Sequence, residues 1–202
     1  FLRRMAEEDG EYDVRVAAVK AISKICGPEE IEFLKERAEK DESSSVRVAA
    51  IEAIAEICGS EGIGFLKERV EEDDDCWVRA AAIGAISKIG DSKEIEFLRK
   101  IAEEDAWVRA AAIEAIAEVG GSEEIEFLRR MAEEDEEYDV RVAAVKAISK
   151  IGGPEEIEFL GRMALGANPD VVEITLQSID SILERTYGTM EWLRYLYGGT
   201  DK

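Results

Sequence analysis

Chemistry first: no residue set in this chain pairs a nucleophile with a base. There is no His among the 202 residues, so the commonest general base and a leading metal ligand are both missing. Ser, Lys and carboxylates abound, yet no spacing seats a hydroxyl or amine beside a proton acceptor. Cys26 and Cys58 take the same place at the ends of successive helices, and Cys76 lies elsewhere. Packed helices stand about 8–10 Å apart, too far for a disulfide, so all three Cys read as small thiols in a reducing, cytoplasmic compartment. No Cys/His metal spacing exists. Acidic runs such as Glu71-Glu72-Asp73-Asp74-Asp75 lack the Asp-x-Asp-x-Asp-Gly of a calcium loop and read as solvated, mutually repelling acids. The expectation is a non-enzyme with no catalytic residue, no metal and no cofactor.

Binding chemistry is better represented. Formal net charge is −21, from 26 Lys and Arg against 47 Asp and Glu. Affinity for phosphates comes mostly from Lys and Arg, so nucleic acid and anionic membranes are excluded as partners. No apolar run approaches the roughly 18 residues of a membrane span, and no signal peptide is visible. The chain opens at Phe1 inside a helix motif, so further sequence is expected upstream.

The elements that position these residues repeat. A Val-Arg-x-Ala-Ala-(Ile/Val)-x-Ala-Ile core begins at Val14, Val46, Val78, Val108 and Val140, with a decayed copy at Val171; the steps are 32, 32, 30, 32 and 31 residues. Ile-x-Phe-Leu runs in step at Phe33, Phe65, Phe97, Phe127 and Phe159, with Phe1 and Trp192 as end copies. A fixed period of this length predicts a solenoid of stacked two-helix units. The Phe-Leu helix is designated A and the Val-Arg helix B. In the first B helix Val14, Ala17, Ala18, Ala21, Ile22 and Ile25 share a stripe at helical spacing. Gly27 is placed to end that helix as a C-terminal glycine does. Pro28, or Ser60, Ser92 and Ser122, then opens helix A, where Ile31, Leu34 and Ala38 form the buried stripe and Phe33 reaches the adjacent repeat. Asn168-Pro169 reads as an N-cap and first helical residue. The array spans residues 1–185; residues 186–202, with Trp192, Leu193, Tyr195, Leu196 and Tyr197, read as a C-terminal cap.

The face of helix B opposite its buried stripe gives columns. One reads Lys20, Glu52, Gly84, Glu114, Lys146, Gln177; another Lys24, Glu56, Lys88, Glu118, Lys150, Ser181. Odd repeats carry Lys and even repeats Glu, which predicts a ladder of inter-repeat ion pairs worth about 0.2–1 kcal/mol each. The residues before Val-Arg vary most: Tyr12, Trp77, Trp107 and Tyr138 stand among them. Beside Trp77 and Trp107 the small Ala80 and Ala110 replace Val, and Gly84 interrupts the charged column. Exposed Trp over a relieved floor describes a binding hot spot; alternatively the two rings fold down and pack on each other.

Asp-x-x-Val-Arg-x-Ala-Ala-x-x-Ala-Ile-x-x-Ile-Gly on a unit of about 32 residues resembles the short HEAT-like repeats named for phycobiliprotein (PBS) lyases. The resemblance implies a right-handed α-solenoid of about six repeats whose B helices line a concave, partner-facing side. It also implies that Arg15, Arg47, Arg79, Arg109 and Arg141 pair with acids in the A–B turns as a structural ladder, one that stops where Val172 replaces Arg. Deoxyhypusine hydroxylase, a HEAT-like enzyme, binds iron through His-Glu pairs and is excluded by the missing His. No residue matches a lyase catalytic position.

The leading reading is a non-enzymatic scaffold that presents the concave B face to a protein or peptide. Tyr12, Trp77, Trp107 and Tyr138 are its anchors, Lys20, Lys24, Lys88, Glu114, Lys146 and Lys150 its polar contacts, and Ala80, Ala110 and Gly84 its floor. One alternative is an accessory or lyase-like factor that loads a chromophore or prosthetic group. The other is a homodimer formed through an uncapped N-terminal edge.

Overall fold

The computed structural model describes the backbone of residues 1–166 and 169–197, and the side chains of residues 1–165 and 171–188. Helices and their turns account for them, with no strand among the described residues. The fold is an all-α solenoid of two-helix repeats. It divides into two compact units, residues 1–119 and 120–202.

The first unit holds four repeats, each an A and a B helix: α1 (Leu2–Glu8) and α2 (Tyr12–Ile25), α3 (Ile31–Lys40) and α4 (Ser44–Cys58), α5 (Ile63–Glu72) and α6 (Cys76–Ile89), α7 (Ile95–Glu104) and α8 (Arg109–Val119). Each A helix packs on its own B helix, and the B helices pack side by side, α2 on α4, α4 on α6, α6 on α8. The second unit holds α9 (Ile125–Glu134), α10 (Tyr138–Ile151), α11 (Ile157–Gly166) and α12 (Pro169–Tyr197). α12 is two helical stretches joined at Gly188, whose φ of 69° and ψ of 156° are non-helical. The side chains expected to form a cap, Trp192 among them, and the N-cap expected at Asn168 lie outside the described residues.

The core is a stack of aliphatic layers. Ile22, Ile54, Ile86 and Ile116 from the B helices, and Leu34, Leu66 and Leu98 from the A helices, are at most 1% exposed. Burying each relative to water contributes about 1.5–3 kcal/mol. The expected stripe on α2 is rotated. Ala18 and Ile22 are buried together with Val19, whereas Ala17 is exposed, Ala21 half-buried and Ile25 70% exposed. The same places on α4, Ala49 and Ala53, are covered, because α2 packs against that side of α4.

Short 3-10 turns open five of the A helices, at Pro28–Glu30, Gly59–Gly62, Ser92–Glu94, Ser122–Glu124 and Pro154–Glu156. The glycines that end B helices act differently from expectation. Gly90 and Gly152 are extended. They are required sterically: a Cβ on Gly90 would lie 2.8 Å from the Ile86 carbonyl oxygen, and one on Gly152 2.7 Å from that of Ile148. Gly27 is also extended, and among the described residues of the array only Gly59, at φ 52°, has a positive φ.

Two devices lock successive repeats. In the A–B turns Asp9, Asp41, Asp73, Asp105 and Asp135 each accept the backbone N–H two residues on, closing the turn. The B-helix Arg then ties one turn to the next. Arg15 donates to the Asp9 carbonyl at 2.8 Å and, from Nε and Nη2, to both carboxylate oxygens of Asp41 at 3.1 and 3.0 Å. Arg47 repeats this with the Asp41 carbonyl and the Asp73 carboxylate. Arg79 donates to the Asp73 carbonyl and its Nε stands 3.1 Å from an Asp105 oxygen. Arg141 donates to the carbonyls of Asp135 and Glu136, and 26 residues further on the sequence has Ala167 where its forerunners have Asp. Hydrogen bonding to Asp41 outweighs burial and holds the Arg15 guanidinium above its usual pKa. For Arg47 burial pulls downward, and hydrogen bonding and attraction to Asp73 outweigh it.

The second device joins A helices. The cation of one repeat lies over the Phe ring of the next: Arg3 over Phe33, Lys35 over Phe65, Lys67 over Phe97, Arg129 over Phe159, at 5.0–5.8 Å from the ring centre. Three of these cations also pair with the Glu that closes the next 3-10 turn: Arg3 with Glu30, Lys67 with Glu94, Arg129 with Glu156. Lys35 meets Gly62 in that column and pairs with Glu32 instead.

Candidate binding surface on the B helices

With Arg and Asp consumed by the turns, the outer stripe of each B helix is left for contact with something else. Residues 77, 81, 84 and 88 are spaced i, i+4, i+7, i+11 and share one stripe of α6. From the mouth of the helix that stripe reads Trp77, Ala81, Gly84, Lys88. Beside it the same spacing on α4 carries Ser45, Ala49, Glu52 and Glu56, of which Ala49 is covered by α2, and α8 carries Ala111, Glu114 and Glu118 beyond Trp107.

Trp77 is 76% exposed and Trp107 81% exposed, so neither ring folds down into a packed layer. The backbone holds both in place: the Trp77 N–H donates to the Asp75 carboxylate at 2.8 Å and the Trp107 N–H to that of Asp105 at 3.0 Å. Asp75 thereby caps α6. Burial alone would push its carboxyl up, but the Trp77 N–H, the Ser44 hydroxyl and the Arg47 charge hold it below the usual range. Tyr12 and Tyr138 are exposed at the mouths of α2 and α10, and the Arg141 guanidinium lies 6.0 Å from the Tyr138 ring centre. Lys20, Lys24, Lys88, Glu114, Lys146 and Lys150 are exposed, while Ala80 and Ala110 are half-buried.

A concavity exists on this surface, but not under the Trp pair. It is a cleft of about 470 Å³ between α4 and α6, floored by Ala55, Ala81, Gly84 and Ala85 and walled by Glu52 and Glu56 on one side and Lys88 on the other. Trp77, Trp107, Ala80 and Ala110 do not line it; the relieved floor lies one to two turns further along α6. A smaller neighbour of about 180 Å³ sits between α2 and α4, bordered by Lys20, Lys24, Glu52 and Glu56.

The expected charge ladder is open at these places. Among the described residues no ion pair within 4.0 Å joins Lys24 to Glu56 or Glu56 to Lys88. An exposed pair gains about 1 kcal/mol at most and must immobilise two long side chains, so nothing forces the cleft shut.

Several contacts had no readable sequence signal. Arg185 of α12 donates to the carbonyls of Ser149 and Lys150, each at 2.8 Å, and to that of Gly152, closing the C-terminus of α10. Nothing in the decayed sixth repeat marks that Arg. The cation over each Phe could have been read from Arg3, Lys35, Lys67 and Arg129 recurring in one column. All three Cys are free, half-buried thiols, and burial raises the Cys58 pKa. No described helix is long and apolar enough to cross a membrane.

Comparison with known proteins corrects one expectation. Among solved structures, the complex of CpcE and CpcF of phycocyanin lyase from Nostoc sp. PCC7120 matches with a TM-score of 0.61 and 16% identity, over 88% of this chain and 74% of that chain. This fold therefore serves in a lyase, and the exclusion of enzymatic activity, drawn from missing His and missing nucleophile–base pairs, does not stand. No curated protein matches the sequence. The model of the family described as HEAT repeats matches residues 1–53, 34–107 and 101–180, nearly the whole length in three overlapping stretches, and the chain belongs to the HEAT-repeat family.

Proposed function

We propose that the chain is a HEAT-repeat factor that engages a protein partner through the outer stripe of its B helices. The observation that carries this reading is the exposure of Trp77 and Trp107 at the mouths of successive B helices. A large ring left in water forgoes burial energy that a partner would supply, and exposed Trp marks interface hot spots. The unpaired Glu52, Glu56 and Lys88 alongside supply polar specificity. Tyr12, Lys20, Lys24 and Glu114 extend the contact surface of the first unit, and the second unit by itself exposes Tyr138, Lys146 and Lys150 on its own B helix. The test is affinity capture from extract with wild type against a Trp77→Ala, Trp107→Ala double variant whose circular dichroism is unchanged. Loss of a specific partner is expected; equal recovery removes the B-face assignment.

A second reading places that partner within a lyase-like factor. It draws on the neighbour, a complex of two chains, CpcE with CpcF, of a phycocyanin lyase. In that case this chain works beside a second protein, and incubation of the pair with chromophore-free phycocyanin apoprotein and a tetrapyrrole changes the visible spectrum. An unchanged spectrum with a purified, bound partner removes this reading and leaves the first. A homodimer through the first repeat would draw on its apolar edge, where Phe1 is 88% and Ile25 70% exposed; a monomer mass by light scattering at high concentration rejects it.

A further inference from the structure

The cleft between α4 and α6 is built around one residue that packing does not require. Gly84 lies inside α6, where glycine weakens a helix relative to any ordinary residue. Gly90 and Gly152 are demanded by close approach, whereas Gly84, like Gly64 and Gly161, is not; of these three only Gly84 lines the cleft. A Cβ on Gly84 would meet nothing within 4 Å. The equivalent places in other repeats carry Lys20, Glu52, Glu114 and Lys146, so the position tolerates long side chains. The missing side chain opens the floor of a volume of about 470 Å³, within the range of ligand pockets.

The walls define the occupant. Two carboxylates, Glu52 and Glu56, stand one helical turn apart on α4, and one ammonium, Lys88, stands opposite. None of the three makes an ion pair within 4.0 Å among the described residues. The cleft thus carries a net negative charge over an apolar alanine floor, and it favours a cation attached to a hydrophobic group.

Resting on the B-face reading, we infer that this cleft seats a two-residue element of a partner peptide: a large apolar side chain over Gly84, next to an Arg or Lys whose charge meets Glu52 and Glu56. Lys88 meets the backbone carbonyl of the same element. The partner segment is therefore basic and apolar, complementary to an acidic protein.

The test titrates the isotope-labelled full chain with N-acetyl-Phe-Arg-amide and N-acetyl-Phe-Glu-amide, reading amide shifts by NMR. Saturable shifts at residues 81–88 are expected with the Arg probe, with binding about fivefold weaker for the Glu probe, the effect of one exposed ion pair. Gly84→Lys restores the side-chain type of the odd repeats and fills the cleft; because the space is open it folds, and it abolishes the shifts. Trp77→Ala leaves them in place, since Trp77 does not line the cleft. Absence of shifts, equal binding of both probes, or unchanged binding to the Gly84→Lys variant overturns the inference. If the probes fail while the Trp double variant still loses its partner, the cleft assignment falls and the B-face reading stands; the reverse result separates them the other way.

Discussion

Arg47→Ala should cost far more than an average surface Arg, because the side chain ties two turns together. Its guanidinium makes two bonds to the Asp73 carboxylate at 3.1 and 3.0 Å and one to the Asp41 carbonyl at 3.0 Å. The side chains of Arg47 and Asp73 are only 11% and 3% exposed. Truncating one partner of a buried pair strands the other charge, at about 3–5 kcal/mol. The additional contact to Asp74, whose carboxylate is 94% exposed, adds about 0–1 kcal/mol. A domain has about 5–15 kcal/mol in total, so the loss is a large share.

Arg141→Ala is the internal control. Arg141 donates to two carbonyls and has Ala167 at the place of the acid; those carbonyls can turn to water, so about 1–2 kcal/mol is expected. The assay is urea unfolding followed by circular dichroism, with hydrogen exchange over α4 to α6, since a repeat array opens locally at its weakest junction. Arg47→Met combined with Asp73→Asn removes both charges and keeps an acceptor for the Asp75 N–H, so it should lose less than Arg47→Ala alone. A loss below about 1 kcal/mol for Arg47→Ala, or one equal to that of Arg141→Ala, would refute the stapling role.

Gly84→Ala should stabilise the chain by about 0.5–1 kcal/mol through helix propensity, while Gly152→Ala should destabilise it by about 1–3 kcal/mol because its Cβ meets the Ile148 carbonyl oxygen; thermal denaturation of the two variants reads both signs. Asp75→Ala should cost about 1 kcal/mol as a lost N-cap. The pH dependence has a definite sign: the Asp75 carboxyl is held low in the folded chain, so its contribution is complete above the ordinary carboxylate pKa near about 4 and fades as pH falls through the depressed folded value. Unfolding from pH 7 to 2.5 should therefore be shallower for Asp75→Ala than for wild type. Added NaCl should raise the melting temperature, because repulsion among charges summing to −21 is screened over about 10 Å at 0.1 M; a fall would mean that ion pairs dominate.

The period, the two helices per repeat and the aliphatic layers are legible in the sequence because spacing alone determines them. Val-Arg at Val14, Val46, Val78, Val108 and Val140 falls on B helices or the turn opening them, and Leu34, Leu66 and Leu98 face inward. What spacing cannot supply is depth. Ala17 and Ala49 hold the same helical angle, yet one is exposed and the other 2% exposed, because only α4 has a B helix on that side. The same limit explains the cleft. Ala80 looks equivalent to Val16 and Val48 in sequence, but it is Ala81 and Ala85 that reach the groove between α4 and α6. Gly27 reads as a C-terminal glycine cap and is in fact extended, a distinction of backbone path that residue type does not encode.

Seven of the chain's 26 cations are committed to two jobs between repeats, and that division supports the B surface as the working face. Arg15, Arg47 and Arg79 are committed to the A–B turns, and Arg3, Lys35, Lys67 and Arg129 to the Phe rings of neighbouring A helices. Both sets act between repeats and lie away from the outer stripe of helix B. Lys20, Lys24 and Lys88 are needed by neither device and stand exposed beside Glu52 and Glu56 without closing on them. Were the B columns structural, replacing Lys24, Glu56 and Lys88 with Gln together would lower stability as Arg47→Ala does. With no ion pair to lose, stability should change by less than about 0.5 kcal/mol, while partner capture falls. A large loss of stability in that triple variant would return these residues to the scaffold and leave Trp77 and Trp107 as the sole support for a binding face.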